Sequence, residues 1–308
     1  MDCGSHQHNK NMDKVLSNKK AIFLFMLPAC VIYLAIMLIP IISTIVLSFC
    51  KWNSISPPSF VGFGNYIKLL TNDRVMKIAV KNSLFIVVFS LATQQTIGLA
   101  VAAILSAKGR KFKNFYKNIY YLPSVISSAA LALLFSFLLN PNMGINALLA
   151  KVGIKGPLWL MDVSWSIPLP LWVIGFIALW QYMGSNMMLY MAAIAGIPDS
   201  YYDAAQIDGA SKSQSFFYIT LPLIKPMAKI SITMSCIGSL KFFDLIYNMT
   251  NGGPSHLTEV MATYLYSQAF GSMKFGYASA ISICIMLMCL IVSGIVNKVM
   301  RVDDFSMS

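Results

Sequence analysis

The sequence predicts an all-α protein that crosses a membrane several times. Hydrophobic residues make up 57% of the 308 residues, and charged residues make up only 11%. A soluble domain is usually about half apolar and about a quarter charged. So few ionic groups cannot cover a water-facing surface of the size that this chain would need. The chain is therefore predicted to be a polytopic membrane protein.

Six apolar runs are long enough to be transmembrane helices. Crossing a bilayer core of roughly 30 Å takes about 20 helical residues, and a helix satisfies its own backbone groups in lipid. Pro28 and Pro40 interrupt the first run and predict kinks or a tilt there. The six predicted spans are residues 21–49, 79–106, 118–139, 169–196, 223–249 and 275–297.

The distribution of Lys and Arg predicts that both ends of the chain lie in the cytoplasm. Of the 23 basic residues, 14 then lie inside, eight lie outside and Lys241 lies within a span. The most concentrated basic segment, AKGRKFKNFYKN at 107–118, is on the inside. The predicted organisation is a cytoplasmic tail at 1–20, a first helix at 21–49, an external loop at 50–75, the remaining spans at 76–297 and a cytoplasmic tail at 298–308.

The chain lacks the residue patterns of catalysis and of nucleotide binding. Glu259 is its only glutamate, and it has no G-x-x-x-x-G-K-[ST] phosphate loop. The sequence therefore predicts a protein that is not an enzyme and has no cofactor of its own, so that any ATP and Mg would be bound by a partner chain. The net charge of +12 suits contact with anionic membrane lipid. The positive charge is attributed to membrane topology and lipid contact, so nucleic acid is not a predicted partner.

Two groups of polar residues leave alternatives open. Cys3, His6 and His8 could hold a metal, but a disordered tail without a metal is favoured because no second ligand cluster follows. Lys241 and Asp244 are three residues apart within a predicted span. A local ion pair is the favoured interpretation there, and a substrate contact is the alternative.

A polar stretch, DSYYDAAQIDGASKSQSFFYITLPLIKP at 199–226, interrupts the apolar sequence on the predicted cytoplasmic side. Two aspartates near its start suit the positive end of a short helix. Gly209 stands where a left-handed residue would end that helix. Ser211 and Gln214 form the S-x-x-Q pattern that starts a second helix. The stretch is therefore predicted to form a compact helical loop that a partner protein could bind.

The spacing within this stretch resembles the EAA loop of ABC-importer permeases, E-A-A-x3-G-x9-I-x-L-P. Aspartate replaces the usual glutamate at the first position, which keeps the charge and shortens its reach. The resemblance implies that partner ATPases bind the loop at 199–222. The matching residues, implied to couple the permease to its ATPases, are Asp203, Ala204, Ala205, Gly209, Ile219, Leu221 and Pro222.

Two further stretches resemble the first membrane subunit of sugar importers of the maltose, glycerol-3-phosphate and multiple-sugar type. Residues 60–66 read FVGFGNY, similar to the FVGLxNY stretch of that subtype. Phe243 and Asp244, followed by TNGGP at 250–254, are similar to its FD…T-x-GGP signature. The resemblance implies a type I permease core of five helices at 76–297, with the helix at 21–49 added to it.

The resemblance also implies a transport mechanism and its partners. A second homologous permease, two ABC ATPases and an external solute-binding protein would complete an importer in a bacterial cell membrane. Closure of the ATPases on ATP would switch a cavity between inward and outward access. Ordinary packing between helices is the alternative interpretation of the residues implied to line the sugar site. These residues are Gln181, Tyr182, Ser185, Ser239 and Phe242.

Other functions remain open at this point. The same machine could import glycerol-3-phosphate or an acidic oligosaccharide. A self-sufficient secondary transporter would need coupling-ion groups near the middle of its spans and would not need a coupling loop. A membrane scaffold without transport would leave the EAA-like spacing unexplained. The sequence thus favours the permease subunit of an ATP-driven carbohydrate importer.

Overall fold

The computed structural model describes residues 19–107 and 112–301, which are helical for most of their length. Three predicted features lie wholly or mostly outside the described residues: the cytoplasmic tail at 1–20 with its Cys3, His6 and His8 group, the centre of the basic segment at 107–118, and the cytoplasmic tail at 298–308. Two short antiparallel strands connect the first helix to the rest of the fold. They are β1 (Cys50–Lys51) and β2 (Ser59–Phe60), with Cys50 opposite Phe60 and Lys51 opposite Ser59.

The helices are numbered in chain order, and π-helical turns connect some of them without a break in the chain direction. The helices are α1 (Lys19–Tyr33), α2 (Ile39–Ser48), α3 (Gly64–Thr71), α4 (Arg74–Ser90), α5 (Thr96–Ser106), α6 (Lys113–Val125), α7 (Ser128–Leu138), α8 (Gly144–Lys151), α9 (Leu169–Ala195), α10 (Asp199–Ile207), α11 (Lys212–Ser215), α12 (Leu221–Leu223), α13 (Lys225–Leu240), α14 (Asp244–Met249), α15 (Met261–Tyr266) and α16 (Phe275–Val299). The π turns are Leu34–Leu38, Leu91–Gln95, Phe216–Thr220 and Ser267–Gly271.

Several helices are long and apolar enough to cross a membrane, which makes the chain a multi-pass membrane protein. Four meet both conditions by themselves, and the pair α6 and α7 adds a fifth if it is one span. α9 has 27 residues, but polar side chains near its middle lower its hydropathy. The count of six spans therefore stays a prediction. The four are Ile22–Ser48, Arg74–Ser106, Lys225–Met249 and Phe275–Val299.

The third predicted span, residues 118–139, is not one straight helix. α6 starts earlier, at Lys113, and meets α7 at an angle of 91°. Ile126 and Ser127 have extended backbone conformations, with ψ of 136° and 133°, and they separate the two helices. Pro123 lies in the last turn of α6, where its missing N–H weakens the continuation of the helix. This part of the span prediction was wrong in shape.

The first helix packs against the bundle only near its end. The described side chains of α1 are exposed, and Ser48 is the one buried residue of α2. Pro40 is the second residue of α2, and a π turn directly precedes this helix. The irregularity in the structure near Pro40 is therefore a π turn. Near Cys50 the chain approaches α16 so closely that a Cβ at Gly276 would collide with the Cys50 carbonyl. The added helix is therefore anchored at one end.

Three clusters of buried side chains hold the remaining helices together. One joins α4, α13, α15 and α16, and a second joins α7, α9 and α14. The third lies where α5 and α9 end and α13 begins. Residues 199–223, here called the knob, follow α9 at this end of the bundle, which is called the knob end. The opposite end, where α4, α9 and α16 begin, is called the far end.

Buried polar side chains connect distant segments at the far end. Asp73 caps the start of α4 by accepting from the Met76 N–H at 3.0 Å. Its carboxylate also accepts from the hydroxyl groups of Tyr264, at 2.5 Å, and Tyr277. Asn82 donates to the carbonyl oxygen of Glu259 at 2.7 Å. These bonds hold the starts of two long helices and the loop before α15 in one arrangement.

The FVGFGNY stretch has a structural role at this end. Asn65 donates its side-chain amide to the carbonyl oxygens of Ser48 and Cys50, at 2.8 and 2.9 Å. Tyr66 donates its hydroxyl to the Ser48 hydroxyl oxygen at 2.6 Å. The last carbonyls of a helix have no partner within the helix, so Asn65 satisfies the Ser48 carbonyl at the end of α2, and Tyr66 holds the side chain of the same residue.

Candidate coupling loop and translocation cavity

The first half of the knob has the predicted corner. α10 ends in a Schellman arrangement, in which Ala210 N–H donates to the Ala205 carbonyl at 2.9 Å and Gly209 N–H donates to the Gln206 carbonyl at 3.1 Å. Gly209 has a φ of +77°, the left-handed conformation that favours glycine. The knob has two arms: α10, and the helical segment that starts after Ser211. The glycine reverses the chain between these two arms, as the sequence predicts.

The second arm begins with the predicted capping box. Gln214 N–H donates to the Ser211 hydroxyl oxygen at 3.3 Å, and Ser211 N–H donates to the Gln214 side-chain oxygen at 2.8 Å. The helix then continues through a π turn and α12 to Ile224, where a short break precedes α13. Tyr202 and Thr220 share a hydrogen bond between their hydroxyl groups at 2.9 Å. This bond connects the two arms.

The predicted coupling residues divide into an exposed and a packed group. Asp203, Ala204, Gly209 and Pro222 are exposed, whereas Ala205 is buried and Ile219 and Leu221 are half-buried. Five large apolar side chains on the knob are also exposed. Three of them are exposed by 60% or more: Ile207 at 87%, Phe217 at 60% and Tyr218 at 80%.

Sequence reasoning did not single out these three side chains. The signal was available, because large apolar residues in a polar loop usually pack against something. On the knob they form the kind of surface that a partner protein would cover.

A cavity of about 270 Å³ lies between the last turns of α4, the middle of α9 and the second half of α13. Four of the five predicted substrate residues line it: Tyr182, Ser185, Ser239 and Phe242. The structure thus brings together two residues before the knob and two after it. Their hydroxyl groups and aromatic rings face one space that is large enough for part of a sugar chain.

Gln181, the fifth predicted residue, lies outside the lining of this cavity. Its amide nitrogen donates to the Ile126 carbonyl at 3.2 Å and to the Ser128 hydroxyl oxygen at 3.0 Å. Both partners belong to the bend between α6 and α7. Tyr182, the next residue, reaches the same bend through a hydroxyl contact with Ser128 at 3.2 Å. In this structure Gln181 secures the bend, and its carbonyl oxygen is buried without a hydrogen-bond partner among the described residues.

Three polar residues of the cavity were missed by sequence reasoning. Gln94, Asn186 and Ser235 line it together with the predicted residues. Amide side chains within an apolar span could have indicated them, since such residues usually face the inside of a bundle or a polar cavity.

A buried hydrogen-bond network lies next to the cavity and includes Asn186, one of its lining residues. Gln95 donates to the Ser231 carbonyl at 3.1 Å and accepts from the Tyr190 hydroxyl at 2.5 Å. Asn186 accepts from the Ser231 hydroxyl at 3.4 Å. The network joins the π turn before α5 to α9 and α13, so it fixes the spacing of three cavity walls.

Lys241 and Asp244 do not form the favoured ion pair. Both are exposed, and none of the ion pairs among residues 19–107 and 112–301 joins them. The pair was expected from their i, i+3 spacing on one helix. The structure instead ends α13 at Leu240 and starts α14 at Asp244. The two side chains therefore do not share a continuous helical face.

Comparisons with known proteins agree with this geometry. Residues 95–301 match the protein family described as binding-protein-dependent transport system inner membrane component. The probable ABC transporter permease protein YurN of Bacillus subtilis (strain 168) is 39% identical over 91% of this chain and 95% of that protein. The lactose transport system permease protein LacF of Rhizobium radiobacter is 33% identical over 88% of this chain and 91% of that protein.

A third relative and a solved structure extend the comparison. The arabinooligosaccharides transport system permease protein AraP of Bacillus subtilis (strain 168) is 30% identical over 91% of this chain and 88% of that protein. A chain of a bacterial ABC transporter involved in the import of the acidic polysaccharide alginate has a TM-score of 0.80, at 23% identity. The match covers 94% of this chain and 98% of that chain, and it establishes a shared fold.

Proposed function

Because the chain belongs to the family of binding-protein-dependent transport system inner membrane components, we propose that it is the permease subunit through which an ATP-driven importer takes up a carbohydrate. One observation carries the proposal: the cavity and the knob are built on the same two helices. α9 runs from the cavity residues Tyr182 and Ser185 to the knob, and α13 runs from the knob back to Ser239. A movement of the knob would therefore reach two walls of the cavity.

The cavity chemistry suits a sugar. Amide and hydroxyl groups of Gln94, Asn186 and Ser239 can exchange hydrogen bonds with sugar hydroxyls. The rings of Tyr182 and Phe242 offer apolar faces to the C–H side of a pyranose or furanose ring. A few polar groups in an otherwise apolar cavity are typical of small-molecule sites. LacF and AraP, both named for sugar transport, support a saccharide as the substrate class.

The knob is proposed to be the docking element for an ATPase subunit. Its exposed Ile207 and Tyr218 would enter a groove of that partner, while the Schellman turn and the Tyr202–Thr220 bond keep its two arms rigid. Rigidity matters because a coupling free energy must pass through this short segment. ATP and Mg would be bound by the two ATPase subunits and not by this chain.

The complete importer would contain a second homologous permease and an external solute-binding protein. A solved neighbour, a bacterial alginate ABC transporter in complex with an alginate pentasaccharide-bound periplasmic protein, supports the solute-binding protein as a partner. In this arrangement the knob end faces the cytoplasm of a bacterial cell, and so do both termini. The far end then faces the solute-binding protein, and six spans, α9 included, cross the membrane.

A cavity variant tests the transport role. The complete importer, reconstituted in vesicles, would carry Ser239→Ala, which removes one group that can bond a sugar hydroxyl. We expect the apparent KM for uptake to rise by about 2- to 10-fold, corresponding to roughly 0.5–1.5 kcal/mol for one hydrogen bond. ATPase attachment should be unchanged, because Ser239 is remote from the knob.

Ser282→Ala is the matched control, since Ser282 is half-buried in α16 and does not line the cavity. Uptake by this variant should match that of the unsubstituted protein. Equal uptake by both variants would show that the cavity residues do not contact the transported molecule. Uptake that needs no ATPase subunit would instead point to a secondary transporter.

A further inference from the structure

One part of the cavity wall presents hydrogen-bond donors to a bound molecule. Three side chains of the lining form this part, here called the donor wall: Gln94, Asn186 and Ser235. An amide side chain has an oxygen that accepts and a nitrogen that donates, and a hydroxyl group can do both. The atoms that remain for a bound molecule therefore depend on the bonds that each side chain already makes within the protein.

Bonds within the protein engage the acceptor atoms of both amide side chains. The Gln94 side-chain oxygen accepts from the Ser90 hydroxyl at 2.8 Å. The Asn186 side-chain oxygen accepts from the Ser231 hydroxyl at 3.4 Å. Both amide nitrogens lack an acceptor within the part of the chain that the structure describes, and both remain accessible. The two side chains therefore offer their N–H groups to the cavity.

Gln95 makes Ser235 a donor as well. The Gln95 amide nitrogen donates to the Ser235 hydroxyl oxygen and, at 3.1 Å, to the Ser231 carbonyl. Its side-chain oxygen accepts from the hydroxyl groups of Tyr190, at 2.5 Å, and Ser231, at 3.0 Å. Gln95 is buried, and these bonds use its whole capacity for hydrogen bonds. The Ser235 oxygen thus accepts from Gln95, and its own proton, which has no acceptor among the described residues, is left for the cavity.

The surroundings of the donor wall do not balance these donors. Ile86, Ala178 and Met234 line the cavity beside it and are apolar, and no described Asp or Glu belongs to the lining. Three further hydroxyl groups of the lining can both donate and accept. They belong to Tyr182, Ser185 and Ser239.

A neutral sugar hydroxyl suits the donor wall poorly. It can accept from the wall, but it also brings a proton that needs an acceptor, and a buried donor without an acceptor is unfavourable. An ionised carboxylate or phosphate accepts several bonds at once and has no proton to place. Hydrogen bonds to an ionised acceptor are also roughly twice as strong as bonds between neutral groups. The donor wall therefore favours an anionic oxygen group over a hydroxyl group.

We propose that the transported carbohydrate is an acidic sugar whose anionic group, a carboxylate or a phosphate, binds to the donor wall. The inference rests on the proposed function and narrows its substrate class. The ring hydroxyls of the sugar bond the lining hydroxyls that can both donate and accept. Gln95 is a positioning residue of this site, because it acts by fixing the direction of the Ser235 hydroxyl.

Sugars that differ only at carbon 6 test the proposal. Equilibrium binding of radiolabelled D-glucose, D-glucuronate and D-glucose 6-phosphate, and of the matching galactose series, would be measured on the assembled permeases and ATPases in nanodiscs. The solute-binding protein is left out, so that the affinity measured is that of the cavity. In at least one series an anionic sugar should bind at least about tenfold more tightly than the neutral sugar. Comparison of the carboxylate with the phosphate shows which group the site takes.

Asn186→Asp replaces a donor of the wall by an acceptor of the same shape. It should lower the affinity for the preferred anionic sugar at least about tenfold and leave the affinity for the neutral sugar within about twofold. A variant that is merely misfolded would lose both. Gln268→Glu is the matched control, because Gln268 is a half-buried amide outside the cavity lining and the change adds the same charge. It should bind every sugar as the unsubstituted protein does.

Gln95→Met tests the positioning role. The change removes the donor that orients the Ser235 hydroxyl and adds no charge. The ratio of anionic to neutral affinity should fall about 2- to 10-fold, as one lost hydrogen bond allows. A purely structural role for Gln95 would instead lower both affinities and leave their ratio unchanged.

Three outcomes would overturn the proposal: equal affinities within both series, no measurable binding of any of these sugars, or an unchanged anionic preference in Asn186→Asp. If the importer with its solute-binding protein still takes up a neutral sugar in these cases, the proposed function stands and this inference alone fails. If the complete importer takes up no carbohydrate, neutral or acidic, the proposed function fails together with the inference.

Discussion

The two ends of the bundle are held together in opposite ways. In the knob, the side-chain bond between Tyr202 and Thr220 joins residues 18 positions apart, and the bonds of the capping box and the Schellman turn are shorter in range. At the far end, Asp73 accepts from residues 191 and 204 positions away. A segment closed by local bonds keeps its shape when the helices around it move. A segment closed by distant bonds ties those helices to each other.

This difference indicates a division of labour. The knob can transmit a movement as a rigid piece, because the Schellman turn, the capping box and the Tyr202–Thr220 bond all lie within it. The far end can keep α4, α15 and α16 together while the knob end moves, because buried hydrogen bonds connect them. Substitutions that cut each kind of bond should therefore differ in size and in what they disturb.

The largest effect is expected from Asp73→Ala. The change removes a helix cap and leaves the buried hydroxyls of Tyr264 and Tyr277 without their acceptor. A lost cap costs about 0.5–2 kcal/mol, and each unsatisfied buried group costs about 1–3 kcal/mol. We expect a loss of roughly 3–5 kcal/mol, measured by thermal unfolding in detergent. Asp162→Ala, a carboxylate with only local bonds, should unfold like the unsubstituted protein.

The same carboxylate predicts a pH dependence. Burial opposes the ionisation of Asp73, but hydrogen bonds from Tyr264 and Tyr277 outweigh it and lower the pKa of Asp73. Burial, and then the bond to Asp73, raises the pKa of Tyr264. A carboxyl with a lowered folded pKa stabilises the fold above its unfolded pKa of about 3.9 and loses this effect as the pH falls through the folded pKa. The difference between wild type and Asp73→Ala should therefore stay constant from about pH 8 to about pH 5.

Substitution of two glycines is expected to have effects of intermediate size on stability. Gly209 in the knob and Gly252 at the far end have nearly equal φ values, +77° and +78°. A Cβ at Gly209 would meet open space, whereas a Cβ at Gly252 would collide with the carboxylate of the buried Glu259. Gly209→Ala should cost about 1 kcal/mol from backbone strain alone. Gly252→Ala should cost about 1–3 kcal/mol more, because a packed site must shift.

Chemical denaturation of the two purified variants measures this difference. Equal losses would mean that the loop around Gly252 rearranges freely, and that the far end is less constrained than its hydrogen bonds indicate. An unstable Gly209 variant would show that the knob is packed against something in the assembled protein.

The corner of the knob could be predicted because its bonds join residues close in sequence, whereas the far end could not, because its bonds join residues far apart in sequence. The helix stop at Gly209 and the capping box at Ser211 each depend on residues within a few positions, so the sequence contains the whole signal. Nothing near Asp73 in sequence indicates that two tyrosines from the last third of the chain will surround it. The cavity lies between these extremes, because its members on α9 and α13 were found while Gln94 on the second span was not.

The bend after α6 shows a different limit. Hydropathy reports the length of an apolar run but not whether the helix changes direction within it, so residues 118–139 were predicted as one span. Gln181 was predicted from its position in the family resemblance, and its amide suits a sugar and suits equally the carbonyl of Ile126 at the bend. Which partner an amide takes depends on the fold around it.

The smallest expected effect comes from Tyr202→Phe, which removes the bond between the arms of the knob without removing the ring. One hydrogen bond contributes about 0.5–1.5 kcal/mol, so the isolated permease should unfold almost normally. Coupling should respond more, because the second arm, with Phe217 and Tyr218, can then move relative to α10. We expect sugar uptake per ATP hydrolysed to fall about 2- to 10-fold in the reconstituted importer, as one lost hydrogen bond allows.

Tyr201→Phe is the control: Tyr201 is 50% exposed, and its hydroxyl has no hydrogen bond within the described chain. A normal uptake-to-hydrolysis ratio in Tyr202→Phe would mean that the backbone turn at Gly209 alone keeps the knob rigid.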